Sequence, residues 1–468
     1  MLLDYCGILG QFTLGLISRK LGRFSTSLHF WSVCTPRIRR EVEKLEPRVL
    51  FDVTGLIQWY SYLRHPSGIQ RFSERVLQSR PIASCSSAAT IARGLGGQRF
   101  YRVPTEVFHD LRGSRRNDAI SRMRSFFVDS IDFSNPKLLF NDLRLIDVPY
   151  TVLSAARQWR KSPQAMRIGK GDVVVCLADF WCQRGHVDSL LRIKRLTGAK
   201  LVQMVHDLFA LDHVGWSHPY FGRFFKDRFE ALAPHVDRWL TNSRFVAGQL
   251  EMVRHGSATP IDIVPMGWNE PVDDDPRVLA KHGLSSRSYF LHVGTLEPRK
   301  NLVSLIDAAE RAANKAGAHW RPLVLVGRDG WRSGEIHKRL NQLEAGVVRW
   351  LPGVPDSDLP ALYRGARFTI VASLGEGWGL PVQESLAQGV PCISSPLGGI
   401  PEVGGDLVHY VDPHDVEAIA DAIADWNTND DRVAAARATI HARLSRARLP
   451  TWDDAGAQVL RSAFSALS

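Results

Sequence analysis

Asp172-Val173-Val174-Val175-Cys176-Leu177, then Leu190-Leu191-Arg192-Ile193-Lys194-Arg195-Leu196, then Lys200-Leu201-Val202-Gln203-Met204-Val205, is the stretch from which the fold can be read. The outer two segments are short apolar runs bounded by polar residues, and the middle one places its apolar residues at helical spacing. Strands with no polar alternation are buried on both faces, so strand, helix, strand here predicts a parallel sheet covered by helices on either side. Toward the C-terminus the pattern repeats with a helix over 221–232, a strand at Arg238-Trp239-Leu240, a helix over 244–253 and a strand over 261–264. Toward the N-terminus it begins at Val49-Leu50-Phe51-Asp52-Val53, which ends in Thr54-Gly55 and is followed by the turn Pro66-Ser67-Gly68 and a helical pattern through Phe72, Val76 and Leu77. Residues 80–130 show no usable periodicity.

A second alternating region starts at Tyr289-Phe290-Leu291-His292-Val293, with further strands at 322–326, 347–351, 368–371, 391–393 and 409–411 and helices between them. Asp273-Asp274-Asp275-Pro276 separates the two regions and reads as a linker whose acids are solvated. The class is α/β, with two parallel-sheet domains in tandem. The final apolar-periodic segment, 452–467, is expected to be a helix packed back onto the first domain.

Composition sets the outer limits. The chain has 468 residues, 44% hydrophobic and 23% charged, which excludes whole-chain disorder and a disulfide scaffold. No stretch reaches the ~18 to 20 apolar residues of a membrane span. Residues 2–17 are apolar but hold Asp4 and Gln11 with no basic segment in front, so a secretory signal is not expected. The six cysteines form no C-x2-C pair, and Cys176, Cys182 and His186 have no recognised metal spacing, so reduced, buried thiols are expected. The net charge of +11 favours anionic partners. Arg19, Lys20, Arg23, Arg37, Arg39 and Arg40, interleaved with apolar residues, make residues 1–48 a basic amphipathic extension suited to an anionic membrane surface. The aromatic-basic segment Phe221-Gly222-Arg223-Phe224-Phe225-Lys226 has the same character or is a core helix with a basic edge.

Ligands of open parallel sheets bind at the carboxyl ends of the strands. Three such loops stand out. Gly294-Thr295-Leu296-Glu297-Pro298-Arg299-Lys300-Asn301 sets two cations ahead of a helix, a place suited to phosphate. Gly327-Arg328-Asp329-Gly330-Trp331 is a glycine turn open to close backbone approach by a ligand. Ser373 to Glu384 carries glycines at 375, 377 and 379, Pro381 in a first helical turn, and Glu376 and Glu384 eight residues apart.

This last segment, with Glu-Gly-Trp-Gly-Leu-Pro inside its Glu-x7-Glu, resembles the signature of family 4 glycosyltransferases, retaining enzymes of the two-Rossmann-domain GT-B fold. Six further segments agree in order: Ser67-Gly68-Ile69-Gln70-Arg71, His206-Asp207-Leu208, Thr241-Asn242-Ser243, Val264-Pro265-Met266-Gly267, Val293 to Asn301, and Pro396 to Val403. The combination is most similar to bacterial mannosyltransferases of O-antigen, lipopolysaccharide and exopolysaccharide assembly. The resemblance spans about residues 49–465. It implies an acceptor-binding domain over 49–270 joined by a C-terminal helix at 448–468, a linker over 271–285, and a nucleotide-sugar-binding domain over 286–447, facing each other across a cleft.

By the same resemblance, Lys300 binds the donor diphosphate, with Arg299 as the second cation because Thr295 stands where many members carry arginine. Glu376 lies near the transferred sugar, the amides of Gly377, Trp378, Gly379 and Leu380 contact sugar and phosphate, Glu384 holds the ribose, and Gly294 lines the donor site. His206 faces the cleft near sugar and acceptor, where it could orient hydroxyls or take a proton, or be a structural histidine bonded to backbone. Gly68 and Arg71 match a loop approaching donor phosphates and acceptor, and Asn242 and Ser243 a turn at the cleft floor. The implied activity moves a hexose, foremost mannose from GDP-mannose, to a growing lipid-linked oligosaccharide or polysaccharide, with dTDP-rhamnose or a UDP-sugar as other donors. Retention comes from the family alone. No Asp-x-Asp ends a strand, so neither metal nor organic cofactor is expected. The implied place is cytoplasmic, peripheral to the inner membrane.

Rival classes fit less. A dehydrogenase needs Gly-x-Gly-x-x-Gly after a strand, and Gly94-Leu95-Gly96-Gly97-Gln98-Arg99 has neither the third glycine nor, on this reading, the strand. P-loop and esterase motifs are missing, no nucleic-acid platform is present, and an inert glycan-binding scaffold would not need Glu376, Glu384, Lys300 and His206 together. A nucleotide-sugar epimerase of the same fold would turn over donor without an acceptor.

Overall fold

The computed structural model describes residues 47–62, 66–94, 99–111, 115–129, 165–181, 183, 185–213, 215–216, 219–254, 258–273, 275–330 and 332–468, and residues 47–468 form one compact unit. The amphipathic segment expected over 1–48 lies, but for Pro47 and Arg48, outside the described residues, as do Cys182, Asp274 and Trp331.

Two sheets make the frame. The first holds β1 (Val49–Asp52), β2 (Ala88–Arg93), β3 (Phe100–Val103), β4 (Val173–Cys176), β5 (Lys200–Val205), β6 (Arg238–Thr241) and β7 (Ile261–Ile263) in the order β3-β2-β1-β4-β5-β6-β7. The second holds β8 (Phe290–Val293), β9 (Leu323–Val326), β10 (Val348–Leu351), β11 (Thr369–Val371), β12 (Cys392–Ser394) and β13 (Val408–Tyr410) in the order β10-β9-β8-β11-β12-β13. Both orders reverse beside the first strand of their sheet, which opens a crevice at the strand ends there. The central strands β1, β4 and β9 are buried at every position. That is why they read as apolar runs.

Three expectations are corrected. The first sheet is not wholly parallel, because β2 and β3 pair antiparallel with Thr90 opposite Val103. Residues 80–130 hold both of these strands and several helices; their signal was weak because β2 mixes small and polar residues and buries Arg93, whose Nε donates to Ser189 Oγ at 3.0 Å. A strand therefore does precede Gly94, and it pairs antiparallel with the strand that follows Arg99, Gly94 N donating to Arg99 O at 3.0 Å.

Helix Leu302–Ala316 buries Leu305, Ile306, Ala308, Ala309 and Ala312 on one face, and helix Val416–Thr428, which it packs against, buries Ile419, Ala420 and Ile423. Small residues on both let the helices approach closely, and each fully buried Leu or Ile contributes about 1.5–3 kcal/mol. Within the expected linker, helix Pro276–Lys281 is capped by Asp275, which accepts from Arg277 N, and its Leu279 is buried in the cluster of Tyr289 and Leu362. The terminal helix Trp452–Ser465 packs against helix Gly68–Leu77 of the first sheet's domain through a stripe of Ala455, Val459 and Ala463. Its Gly456 is required, because a Cβ there would lie 1.9 Å from Ser79 Oγ.

Candidate active site

A cleft of about 600 Å³ runs between the two sheets' domains, and all the site residues expected from the sequence line it. Gly68, Arg71 and His206 come from the first domain, and Gly294, Thr295, Arg299, Lys300, Glu376, Gly377, Trp378, Gly379, Leu380 and Glu384 from the second. Most of them meet because they follow the carboxyl ends of parallel strands: His206 follows β5, Gly294 follows β8, and Glu376 follows β11, while Gly68 and Arg71 open helix Gly68–Leu77. Asn242 lines the same cleft after β6.

Glu376 is the electrostatic centre. It is 7% exposed. Its Oε1 accepts from Lys300 Nζ at 2.6 Å and Ser373 Oγ at 2.7 Å, and its Oε2 accepts from Arg299 Nη1 at 2.9 Å. Burial alone would raise its pKa, but Lys300 and Arg299 outweigh burial and hold the carboxyl well below the usual carboxylate range. Arg299 also donates to Gly375 O at 2.7 Å and, through Nη2, to Glu297 Oε1 at 2.8 Å. Lys300 ends a short 3-10 turn over Pro298–Lys300, and the following Asn301 takes φ 56°, a left-handed value that asparagine tolerates, to start helix Leu302–Ala316.

The turn from Glu376 to Gly379 is clamped against the first domain. Ser243 Oγ, which caps helix Arg244–Val253 by accepting from Val246 N, donates to Gly377 O at 2.6 Å. A Cβ on Gly377 would lie 2.0 Å from His206 O, so only glycine fits. Gly379 has φ 108° and precedes helix Leu380–Ala387, with Pro381 in its first turn. All four residues of the Gly377–Leu380 turn line the cleft.

His206 Nε2 lies 2.9 Å from Leu177 O. A carbonyl only accepts, so Nε2 carries the proton and Nδ1 is the acceptor nitrogen. Burial brings its pKa down to about 4, so the ring is neutral near pH 7. That fits a residue that orients hydroxyls better than one that shuttles protons, and the backbone bond expected of a structural histidine is also present.

Arg71 stands in the first turn of helix Gly68–Leu77, not in a loop. Its Nη1 donates to Glu384 Oε1 at 2.8 Å and its Nη2 to Asp356 Oδ1 at 3.3 Å, both across the cleft. A second cavity of about 900 Å³ lies behind this bridge and shares Arg71, Asp356 and Glu384 with the first.

Gly327, Arg328 and Gly330 line the cleft, as expected of a strand-end glycine turn, and Gly327 also meets a neighbouring loop. A Cβ on Gly327 would lie 1.8 Å from Gly294 O, so the backbone it admits is the neighbouring loop, which pairs Leu296 with Asp329. Four cleft residues, Asp207, Gly353, Val354 and Asp356, carry no role from the sequence. Asp207 lines the cleft beside Arg299, Glu376 and Glu297, and burial raises its pKa. Gly353, Val354 and Asp356 line it after β10, a strand legible in the sequence whose following loop would have pointed to them. His186 pairs with Asp52 at 2.9 Å, each side chain 2% exposed, and the buried Cys176 thiol donates to the same carboxylate. Among the described residues, no three His, Cys, Asp or Glu gather as metal ligands.

The geometry can be set beside known proteins. The model of the family described as glycosyl transferases group 1 matches residues 275–442. Over 188 residues the chain is 35% identical to the O-antigen chain mannosyltransferase B of Escherichia coli, covering 40% of this chain and 48% of that protein. Over 299 residues it is 26% identical to the serotype-specific mannosyltransferase WbdA of Escherichia coli, covering 59% of this chain and 34% of that one. The chain thus spans half or less of the length of these two curated relatives. The structure of Anabaena Alr3699/HepE in complex with UDP and glucose superposes with a TM-score of 0.57 at 15% identity, over 89% of this chain and 100% of that one, a likeness of fold. Two Rossmann-like sheets about one cleft are the GT-B arrangement, and the second of them, over residues 275–442, is a glycosyl transferases group 1 domain.

Proposed function

We propose that this chain is a retaining hexosyltransferase that moves mannose from GDP-mannose to a growing lipid-linked oligosaccharide or polysaccharide. The observation that carries the reading is the Lys300–Glu376–Arg299 cluster beside the cleft-lining Gly377–Leu380 turn. A nucleotide diphosphate leaves with growing negative charge, and preorganised cations and amides stabilise such charge where it develops. In this role Lys300 and Arg299 turn to the diphosphate, Glu376 takes sugar hydroxyls, Glu384 takes the ribose, and neutral His206 orients the sugar or the acceptor. The two carboxylates bind and orient and are not a hydrolytic acid and base pair.

The mannosyl donor is favoured by the two relatives' names, and the polymer acceptor by the first of them. A peripheral place on an anionic membrane suits the exposed Arg192, Arg195, Arg223 and Lys226 of the first domain. Among the described residues, no helix is long and apolar enough to cross a membrane.

Thermal unfolding of the chain against GDP-mannose, dTDP-rhamnose, UDP-glucose and UDP-N-acetylglucosamine tests the donor, since a ligand at ~100 times its dissociation constant adds about 2.7 kcal/mol. A rise with GDP-mannose alone that Lys300→Ala abolishes supports the reading. A rise with another donor reassigns the sugar, and none with any of them overturns GDP-mannose as donor and points to a donor outside this set or to a glycan-binding scaffold.

A further inference from the structure

His292 lies on β8, one residue short of the cleft-lining Val293, and is 1% exposed. Its Nδ1 is 2.9 Å from Ile370 O on β11. The carbonyl fixes the tautomer: Nδ1 bears the proton and Nε2 presents a bare lone pair. That Nε2 is buried and meets no donor from the protein. A buried acceptor without a donor is costly to keep.

The surroundings of Nε2 say what it faces. It lies 3.2 Å from where a Cβ on Gly294 would stand, and the Lys300 side chain touches the same point, its Cε at 3.5 Å and Cδ at 3.7 Å. Ring and ammonium stem therefore flank one glycine, behind the turn that opens the cleft. The charges of Lys300 and Glu376 both act on the ring, and burial keeps it neutral, so it does not repel Lys300.

We infer that His292 is a positioning residue for Lys300: its Nε2 accepts one ammonium N–H when Glu376 releases Lys300 to a bound diphosphate. The ammonium has three donors, and Glu376 Oε1 takes one in this structure. Once Glu376 turns to sugar hydroxyls, His292 is the acceptor that keeps the cation aimed at the phosphates. This rests on the nucleotide-sugar reading above.

The test is a double-mutant cycle by isothermal titration of the full chain with GDP, UDP and dTDP. The expected result is that His292→Leu weakens the bound nucleotide about tenfold, Lys300→Met weakens it further, and adding His292→Leu to Lys300→Met costs less than about twofold more. His292→Gln, which keeps an acceptor, stays within about threefold of the parent. If His292→Leu does not fold, His292→Phe carries the same comparison. Parent-like affinity for His292→Leu, or losses that multiply with Lys300→Met, overturns the inference while the nucleotide-sugar reading stands. A parent chain that binds none of the three nucleotides overturns both.

Discussion

Replacing Arg71 by methionine separates two accounts of the cleft. In the structure the Arg71 guanidinium holds Glu384 at 2.8 Å and Asp356 at 3.3 Å, so the acid proposed to bind the ribose is already occupied by the other domain. The side chains of Arg71 and Glu384 are 28% and 15% exposed. Burial would lower the pKa of Arg71, but Glu384 and Asp356 outweigh it and raise it. A charge-assisted hydrogen bond of this kind is worth about 1.5–3 kcal/mol, reduced to about 1–2 kcal/mol by the water reaching the arginine. A nucleotide that takes Glu384 must break that pair. Without Arg71 the cost disappears and Glu384 is released from its cation across the cleft, so nucleoside diphosphates should bind about 5- to 30-fold more tightly. Isothermal titration with the nucleotide that binds the parent reads this directly. Weaker or unchanged binding refutes the argument, and weaker binding shows that Arg71 itself grips the phosphates, as its motif implies.

Gly377→Ala would set a methyl group 2.0 Å from His206 O, with backbone on both sides, and should open the cleft and lower transfer at least about 100-fold, read as turnover beside a folded melting profile. Glu376→Gln removes the carboxylate that pairs with the buried Lys300 and one of the two that hold Arg299, and should destabilise the chain by about 3–5 kcal/mol at pH 7. Because the carboxyl titrates well below its unfolded value, its stabilisation is full above ~4.5 and shrinks gradually below it, so the gap between parent and variant melting should narrow from pH ~4.5 downward and still be present at pH ~3. His206 and His292 both titrate at about 4 in place of 6.5, so the unfolded chain binds more protons between those values and stability should fall as pH drops from 6.5 toward 4. His292→Leu should flatten that slope in pH-dependent denaturant titrations, and an unchanged slope would count against a buried neutral ring.

Legibility followed burial. β1, β4 and β9 could be read because both of their faces are covered and their residues are apolar but for the buried Asp52 that ends β1. The β2–β3 hairpin at the sheet's edge escaped because its strands mix small, polar and charged residues, and its buried Arg93 looks like a solvent-facing residue until Ser189, 96 positions away, is seen beside it. The cleft residues were legible as strand-end loops with glycine and charge. Their partners were not, since Arg71 and Glu384 stand 313 positions apart.

The sequence by itself determined two parallel-sheet domains and the loops that would meet between them, because strand burial and glycine turns leave local patterns of residue type. Tertiary structure alone decided what each loop does. It set Gly327 against Gly294 at the edge of the cleft, closed Lys300 and Arg299 on Glu376, and turned Arg71 onto Glu384. Those outcomes depend on distances between residues far apart along the chain, and only the folded packing of the two sheets fixes such distances.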